Sequence, residues 1–167
     1  GVGVGASDWV YGNYQIREEV CRGGMGVIDR ALQRHSRRSV AVKRILTYHA
    51  DSQETLMRFR REAEAAAKLD HPNILPIYEV GMNEDGFPSF SMKFAAGGSL
   101  VDAAPALRNE PRRSVRLMAK VARAVQYAHD QGILHRELKP GKILLDGRCE
   151  PLVSDFGLAK WLGRTSD

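Results

Sequence analysis

The chain has 167 residues, 43% of them hydrophobic, and sets 25 Lys and Arg against 20 Asp and Glu for a formal net charge of +5. That composition excludes collagen and low-complexity disorder and supports one or two modest cores. Two cysteines, Cys21 and Cys149, exclude a disulfide framework and suit a reducing, cytoplasmic setting. No apolar run is long enough to span a bilayer as a helix. The basic clusters at Arg34 to Arg38, Arg58 to Arg61 and Arg112 to Arg116 read as solvated faces rather than as a nucleic-acid surface.

In chain order, residues 1–13 are expected to be a flexible lead-in. Gly1, Gly3 and Gly5 are spaced like a phosphate loop, but no strand precedes them. Alternation of Tyr14, Ile16, Glu18 and Val20 predicts a strand. Cys21-Arg22-Gly23-Gly24-Met25-Gly26-Val27-Ile28 follows, and a second strand runs on through Leu32. Glycines between two strands let backbone N–H groups approach a phosphate closely. A third strand covers Ser39 to Leu46, and its period of two places Ala41, Lys43 and Ile45 on one face. A small Ala41 leaves room for a flat base, and Lys43 reaches toward phosphates of the same ligand. Taken alone, a strand lysine is more often just solvated.

Asp51 or Ser52 is the expected N-cap of a helix reaching Leu69. Phe59, Glu62, Ala66 and Leu69 share its apolar stripe, where a carboxylate is costly unless paired, and Lys43 is the expected partner of Glu62. Ile74 to Val80 and Phe87 to Phe94 predict two more strands, joined by a turn at Asn83-Glu84-Asp85-Gly86. Gly97-Gly98-Ser99-Leu100 marks a crossing into a second lobe. Pro111 to Gln131 is the strongest helix, with Leu117, Val121 and Val125 on one stripe, Met118 and Ala122 beside it, and Gly132 as its stop. After it come His135-Arg136-Glu137-Leu138-Lys139-Pro140-Gly141-Lys142, a short strand at Ile143 to Leu145, a turn at Asp146-Gly147, a second short strand at Leu152-Val153, and the acidic tip Asp155-Phe156-Gly157.

From about Tyr14 to Lys160 these blocks resemble the eukaryotic-type serine/threonine protein kinases, in a bacterial style of wording. That family's glycine-rich loop reads G-x-G-x-x-G-x-V, its strand lysine V-A-I-K, its catalytic loop H-R-D-L-K-P-x-N and its metal-binding tip D-F-G. Here Gly23 and Gly26 take the second and third glycine places, Cys21 the first, and Ile28 the place of the valine. Val40-Ala41-Val42-Lys43 matches the strand, and Glu62, counted back from His71-Pro72-Asn73, matches the helix glutamate. Met92, Lys93, Phe94 and Ala95 match the gatekeeper and hinge. The resemblance implies an α+β, protein-kinase-like fold over 14–167: an antiparallel β-sheet N-lobe with one key helix at about 14–95, then a truncated, mainly helical C-lobe at about 96–167.

It also implies ATP and Mg2+ as cofactors and a protein substrate. By resemblance Ile28, Ala41, the Met92 to Ala95 hinge and Leu144 enclose adenine, while Cys21, Gly23 and Gly26 belong to the loop over the phosphates. Lys43, with Glu62, holds the inner phosphates, and Asp155 holds the metal. Lys139 approaches the transferred group, and Glu137 orients the substrate hydroxyl. His135 is expected to pack the loop, with no acid–base role.

Two residues depart from the pattern. Glu137 replaces the aspartate with a carboxylate one methylene longer, and a displacement of about 1 Å can cost on the order of 100-fold in rate. Lys142 replaces the asparagine whose oxygen ligates the second metal. Two unit charges about 4 Å apart interact by roughly 4 kcal/mol at an effective dielectric near 20, and a divalent ion doubles that. A lysine there either repels the metal or stands in for its charge. The sequence therefore reads as a serine/threonine protein kinase family member, a transferase by family, in which ATP-dependent phosphoryl transfer to protein Ser/Thr is weak or absent. The alternatives are a nucleotide-binding pseudokinase acting as a scaffold or regulator, and a non-functional kinase fragment. Protein kinase domains run to roughly 250 residues, at the upper end of domain sizes. The coding region is thus expected to continue past Asp167 into an activation segment and further helices. Sequencing the downstream DNA checks this, and an in-frame stop directly after Asp167 would contradict it.

Overall fold

The alternation in residues 39–45 has to bury two faces at once, and the first lobe is built to cover both. The computed structural model describes residues 9–22, 26–45, 53–82 and 88–156. Its elements begin with helix α1 (Trp9–Asn13) and strands β1 (Tyr14–Arg22), β2 (Gly26–Gln33) and β3 (Ser39–Ile45). Helix α2 (Gln53–Ala67), β4 (Ile77–Met82) and β5 (Pro88–Lys93) complete the first lobe, and the five strands form one antiparallel sheet in the order β1-β2-β3-β5-β4. Leu46, the expected cap at Asp51 or Ser52, the turn Asn83-Glu84-Asp85-Gly86 and Phe87 lie outside the described residues.

Val40 and Val42 face one side of the sheet with Val10, Tyr14 and Ala31. Ala41 and Ile45 face the other, where they meet Phe59 and Ala63 of α2, and Phe90 and Met92 of β5. The period of two predicted for β3 is therefore the observed one. The Phe59 and Phe90 rings tilt together at 5.7 Å between centroids. On the outer face the Tyr14 hydroxyl lies 2.7 Å from both Glu79 Oε2 and Ser91 Oγ. Burial is the first cause that pushes the phenol up from its ordinary pKa.

Residues 9–13, expected within a flexible lead-in over 1–13, instead form α1, in which Val10 is fully buried, and Trp9 packs edge-on to Tyr14 with 5.2 Å between ring centroids. Gly81 admits this ring, since a Cβ there would overlap the Trp9 indole. Burial of Val10 and Trp9 against Val40 and Val42 of β3 offsets the chain entropy lost in ordering α1.

Strand β4 starts later than expected. Pro76 has no N–H to give a ladder; its carbonyl instead accepts from Lys93 N–H at 3.0 Å. Residues 73–75 pair elsewhere: Leu75 N–H donates to Val153 O and Val153 N–H to Asn73 O, each at 2.9 Å. These bonds fasten the first lobe to the second, which contains α3 (Leu100–Leu107), α4 (Pro111–Asp130), and the hairpin of β6 (Ile143–Leu145) and β7 (Pro151–Val153). Along α4 the buried stripe is Leu117, Val121, Ala124 and Ala128. Val125 packs beside it, whereas Met118 and Ala122 point outward, because a 3.6-residue turn carries the stripe from 121 to 124 and 128. Gly132, at φ +79°, ends the helix as expected.

Helix α3 is not evident from apolar periodicity. It starts at a capping box in which Ser99 N–H donates to Asp102 Oδ2 at 3.1 Å. The crossing between lobes needs a bare backbone. Gly97 N–H donates to Leu145 O at 2.8 Å, and a Cβ on Gly97 would come within 2.7 Å of Asp146 O.

Because Val10 is fully buried, Val10→Ala should lower the unfolding free energy by about 2 kcal/mol. Chemical denaturation measures this, and an unchanged midpoint would return α1 to the lead-in.

Candidate functional site

Six residues expected around adenine lie in one cluster. Ala41 and Met92 are buried, and Ile28, Phe94, Ala95 and Leu144 pack against them partly exposed. β3 supplies Ala41, β5 supplies Met92, and β6 supplies Leu144 from the other lobe. Partial burial is what a wall needs if it is to meet a flat ligand as well as its neighbours. The Met92 and Lys93 backbone pairs with Ala41 and Val40 of β3, and the Lys93 N–H is taken up by the Pro76 carbonyl. Cys21 pairs with Ile28 near the loop end of the β1–β2 hairpin, and Gly26 fits tightly under Arg44, whose carbonyl a Cβ would approach to 2.6 Å. Gly23 and Gly157 lie outside the described residues.

Beyond this wall stands Asp155. Its Oδ2 accepts from Lys142 Nζ at 2.8 Å and lies 3.4 Å from Lys43 Nζ. The side chains are little exposed, at 15% for Asp155, 20% for Lys142 and 13% for Lys43, so water screens these charges weakly. Burial would push the Asp155 carboxyl up, but the charges of Lys43 and Lys142 and their hydrogen bonds prevail and hold it down at about 2. Asp155 also sits at φ +63°, in the left-handed region. A buried carboxylate with one ammonium removed costs roughly 3–5 kcal/mol, so the pairs hold this conformation in place.

The loop before it is fixed from behind. His135 is 4% exposed, and its Nε2 lies 2.5 Å from the Ser154 carbonyl while its Nδ1 accepts from Glu137 N–H at 3.2 Å. An Nδ1 that accepts leaves the proton on Nε2, so the ring is neutral and donates to Ser154 O. Burial lowers its pKa, against the opposing pull of that carbonyl and of Asp155. The Phe156 ring meets His135 edge-on at 4.9 Å. His135 thus packs the loop, as expected. Ser154 also grips the other end: its N–H and its Oγ both reach the Lys142 carbonyl, at 2.8 and 2.9 Å. Nothing in the sequence pattern marks Ser154, because its partners are His135 and Lys142 rather than a ligand.

Glu137 and Lys139 meet each other at 3.3 Å, both partly open to solvent. Arg136 between the histidine and the carboxylate takes φ +75°, which turns the loop there. Glu62, half-buried on α2, lines a cleft of about 170 Å³ with Leu134 and Arg136.

Magnesium demands near-octahedral oxygen ligation. Here Lys142 directs a cation at the carboxylate oxygen where an oxygen ligand should stand beside it. The residues present fit a nucleotide base and its phosphates and do not fit a magnesium ion.

A carboxyl whose folded pKa of about 2 lies below its ordinary 3.8 stabilises the fold above the ordinary value. That stability, on the order of 2 kcal/mol, is lost as pH falls from the ordinary value toward the folded one. Lys142→Gln removes one of the two cations facing Asp155, so it should raise the folded value and shrink the acid-dependent loss. Denaturation against pH reads both, and identical profiles for parent and variant would contradict the account.

A protein kinase domain family model matches residues 14–167. The chain is similar to serine/threonine-protein kinase PknJ of Mycobacterium tuberculosis, 38% identical over 160 residues that cover 93% of this chain and 27% of that protein. It is similar to serine/threonine-protein kinase PrkC of Bacillus subtilis, 35% identical over 158 residues, 94% of this chain and 24% of that one. To NUAK family SNF1-like kinase 1 of Homo sapiens it is 36% identical over 147 residues, 87% of this chain and 22% of that protein. The chain thus spans about a quarter of the length of these curated relatives. Its sheet, its strand lysine and its acidic tip, together with these matches, place it by descent: the chain belongs to the eukaryotic-type serine/threonine protein kinase family, in its bacterial form.

Proposed function

We propose that this chain is the nucleotide-binding part of a protein kinase domain that binds ATP between its lobes and transfers phosphate to protein Ser/Thr weakly. One observation carries the reading: the apolar wall of Ile28, Ala41, Met92, Phe94, Ala95 and Leu144 ends beside the Lys43 and Asp155 pair. A base on that wall sets its phosphates toward Lys43, under the loop of Cys21, Gly23 and Gly26. Glu62 serves to steady Lys43 from α2. Lys139 meets the transferred group, and Glu137 orients the hydroxyl of the substrate. Positioning and charge do most of the work in such a transfer.

Two features weaken it. Glu137 is one methylene too long for a carboxylate that must hold a hydroxyl in line, and it shares its charge with Lys139 at 3.3 Å. Lys142 occupies Asp155. That second contact favours an alternative reading, in which the domain binds nucleotide and acts on a partner by shape, as a pseudokinase. We place the domain in the cytoplasm, where ATP and a reducing setting are both supplied.

ATP should raise the melting temperature of the intact protein, and Lys43→Ala should remove most of that rise. A rise that survives Lys43→Ala unchanged takes Lys43 out of the site.

Labelled-phosphate transfer from ATP to a generic basic protein separates enzyme from pseudokinase. Glu137→Asp and Lys142→Asn alone should each recover little, since each leaves the other fault. The double variant should exceed the product of the single gains, because residues acting as a unit are non-additive. A double variant as silent as its parent supports the pseudokinase, and full activity in the parent contradicts our account of both residues.

A further inference from the structure

Resting on the nucleotide reading above, we infer that the Lys142 ammonium is a resident cation of the phosphate site, so that this domain holds ATP without a divalent metal.

The position of Lys142 is built. Its N–H donates to Lys139 O at 2.9 Å within a 3₁₀ turn at Pro140–Lys142, and its carbonyl takes both the N–H and the Oγ of Ser154. Ser154 is next to Asp155 in the chain and is itself 6% exposed. The backbone that carries the ammonium and the backbone that carries the carboxylate are therefore clasped together. The side chain has only to lie down along this clasp to place Nζ at 2.8 Å from Asp155 Oδ2.

The charge balance then differs from that of a metal site. Asp155 contributes one negative charge, and Lys43 and Lys142 each contribute one positive charge. A neutral side chain at position 142 would leave a metal to supply the charge that draws a triphosphate. Lys142 instead adds one positive charge to the cluster before nucleotide arrives. An ammonium has three donors. One of those on Lys142 is spent on Asp155, and the others can meet phosphate oxygens as charge-assisted hydrogen bonds. A divalent ion entering the same place meets a fixed cation and a carboxylate oxygen that is already engaged. Magnesium bound to ATP in solution consequently hinders entry, or must be shed on binding.

The test is equilibrium binding of ATP to the intact protein by calorimetry, once in chelator and once in excess magnesium. The parent should bind in chelator at least as tightly as in magnesium. Lys142→Asn should lose about tenfold in chelator, the size of a charge-assisted hydrogen bond, and should bind more tightly when magnesium is added. Lys142→Arg keeps the charge and should keep chelator binding; it also controls for misfolding of the asparagine variant. Magnesium tightening the parent by tenfold or more overturns the inference. So does an identical magnesium response in the parent and Lys142→Asn. Absence of saturable ATP binding by the parent under both conditions overturns the nucleotide reading itself, and this inference with it.

Discussion

Asp155 Oδ2 is the point where the lobes meet electrostatically. Lys43 approaches it from β3 of the first lobe, and Lys142 from the loop of the second, at 3.4 and 2.8 Å. Desolvation of a carboxylate this little exposed disfavours its ionised form. The two ammonium groups reverse that preference, and in doing so they fix the order of everything around them. The tip must hold Asp155 at positive φ, β3 must turn Lys43 inward, and the loop must deliver Lys142. Breaking one pair leaves a buried charge partly uncompensated, which is more costly than never having made the pair.

Apolar packing supplies the frame for this contact. The segment 73–75 pairs with β7 and so ties the sheet to the hairpin that precedes Asp155. His135, neutral and buried, holds Ser154 from one side while Lys142 holds it from the other. Acid should therefore loosen the site in two stages. His135, whose folded pKa is lowered, opposes protonation first, as pH falls below the ordinary imidazole value. Asp155 follows only at much lower pH, as it falls toward about 2. Glu137 and Lys139 lie outside this buried set and are partly open to solvent, as the roles proposed for them require.

Much of this was legible in the residues themselves. Period-two alternation put Ala41, Lys43 and Ile45 on one face, because a strand between two apolar layers has no other solution. The glycine stop at Gly132 and the apolar face of α4 followed from local rules. Other features depended on partners far along the chain. Nothing in Trp9–Asn13 announces a helix until Gly81 and the outer valines of β3 are there to receive it. Ile74 looks like the start of a strand, yet Pro76 diverts it to Val153. Helix α3 could have been found from the Ser99 and Asp102 capping box, which periodicity alone passes over. At Lys142 the sequence posed a choice between repelling a metal and replacing its charge. Only the distance to Asp155, across 13 residues of hairpin, favours the second.

A crystal structure of the intact domain with a non-hydrolysable ATP analogue, grown in excess magnesium, would test this central contact most directly. The account predicts Lys142 Nζ within hydrogen-bonding distance of both Asp155 and a phosphate oxygen, with no metal ion coordinated by Asp155. An octahedral ion on Asp155, with Lys142 turned out to solvent, would contradict it.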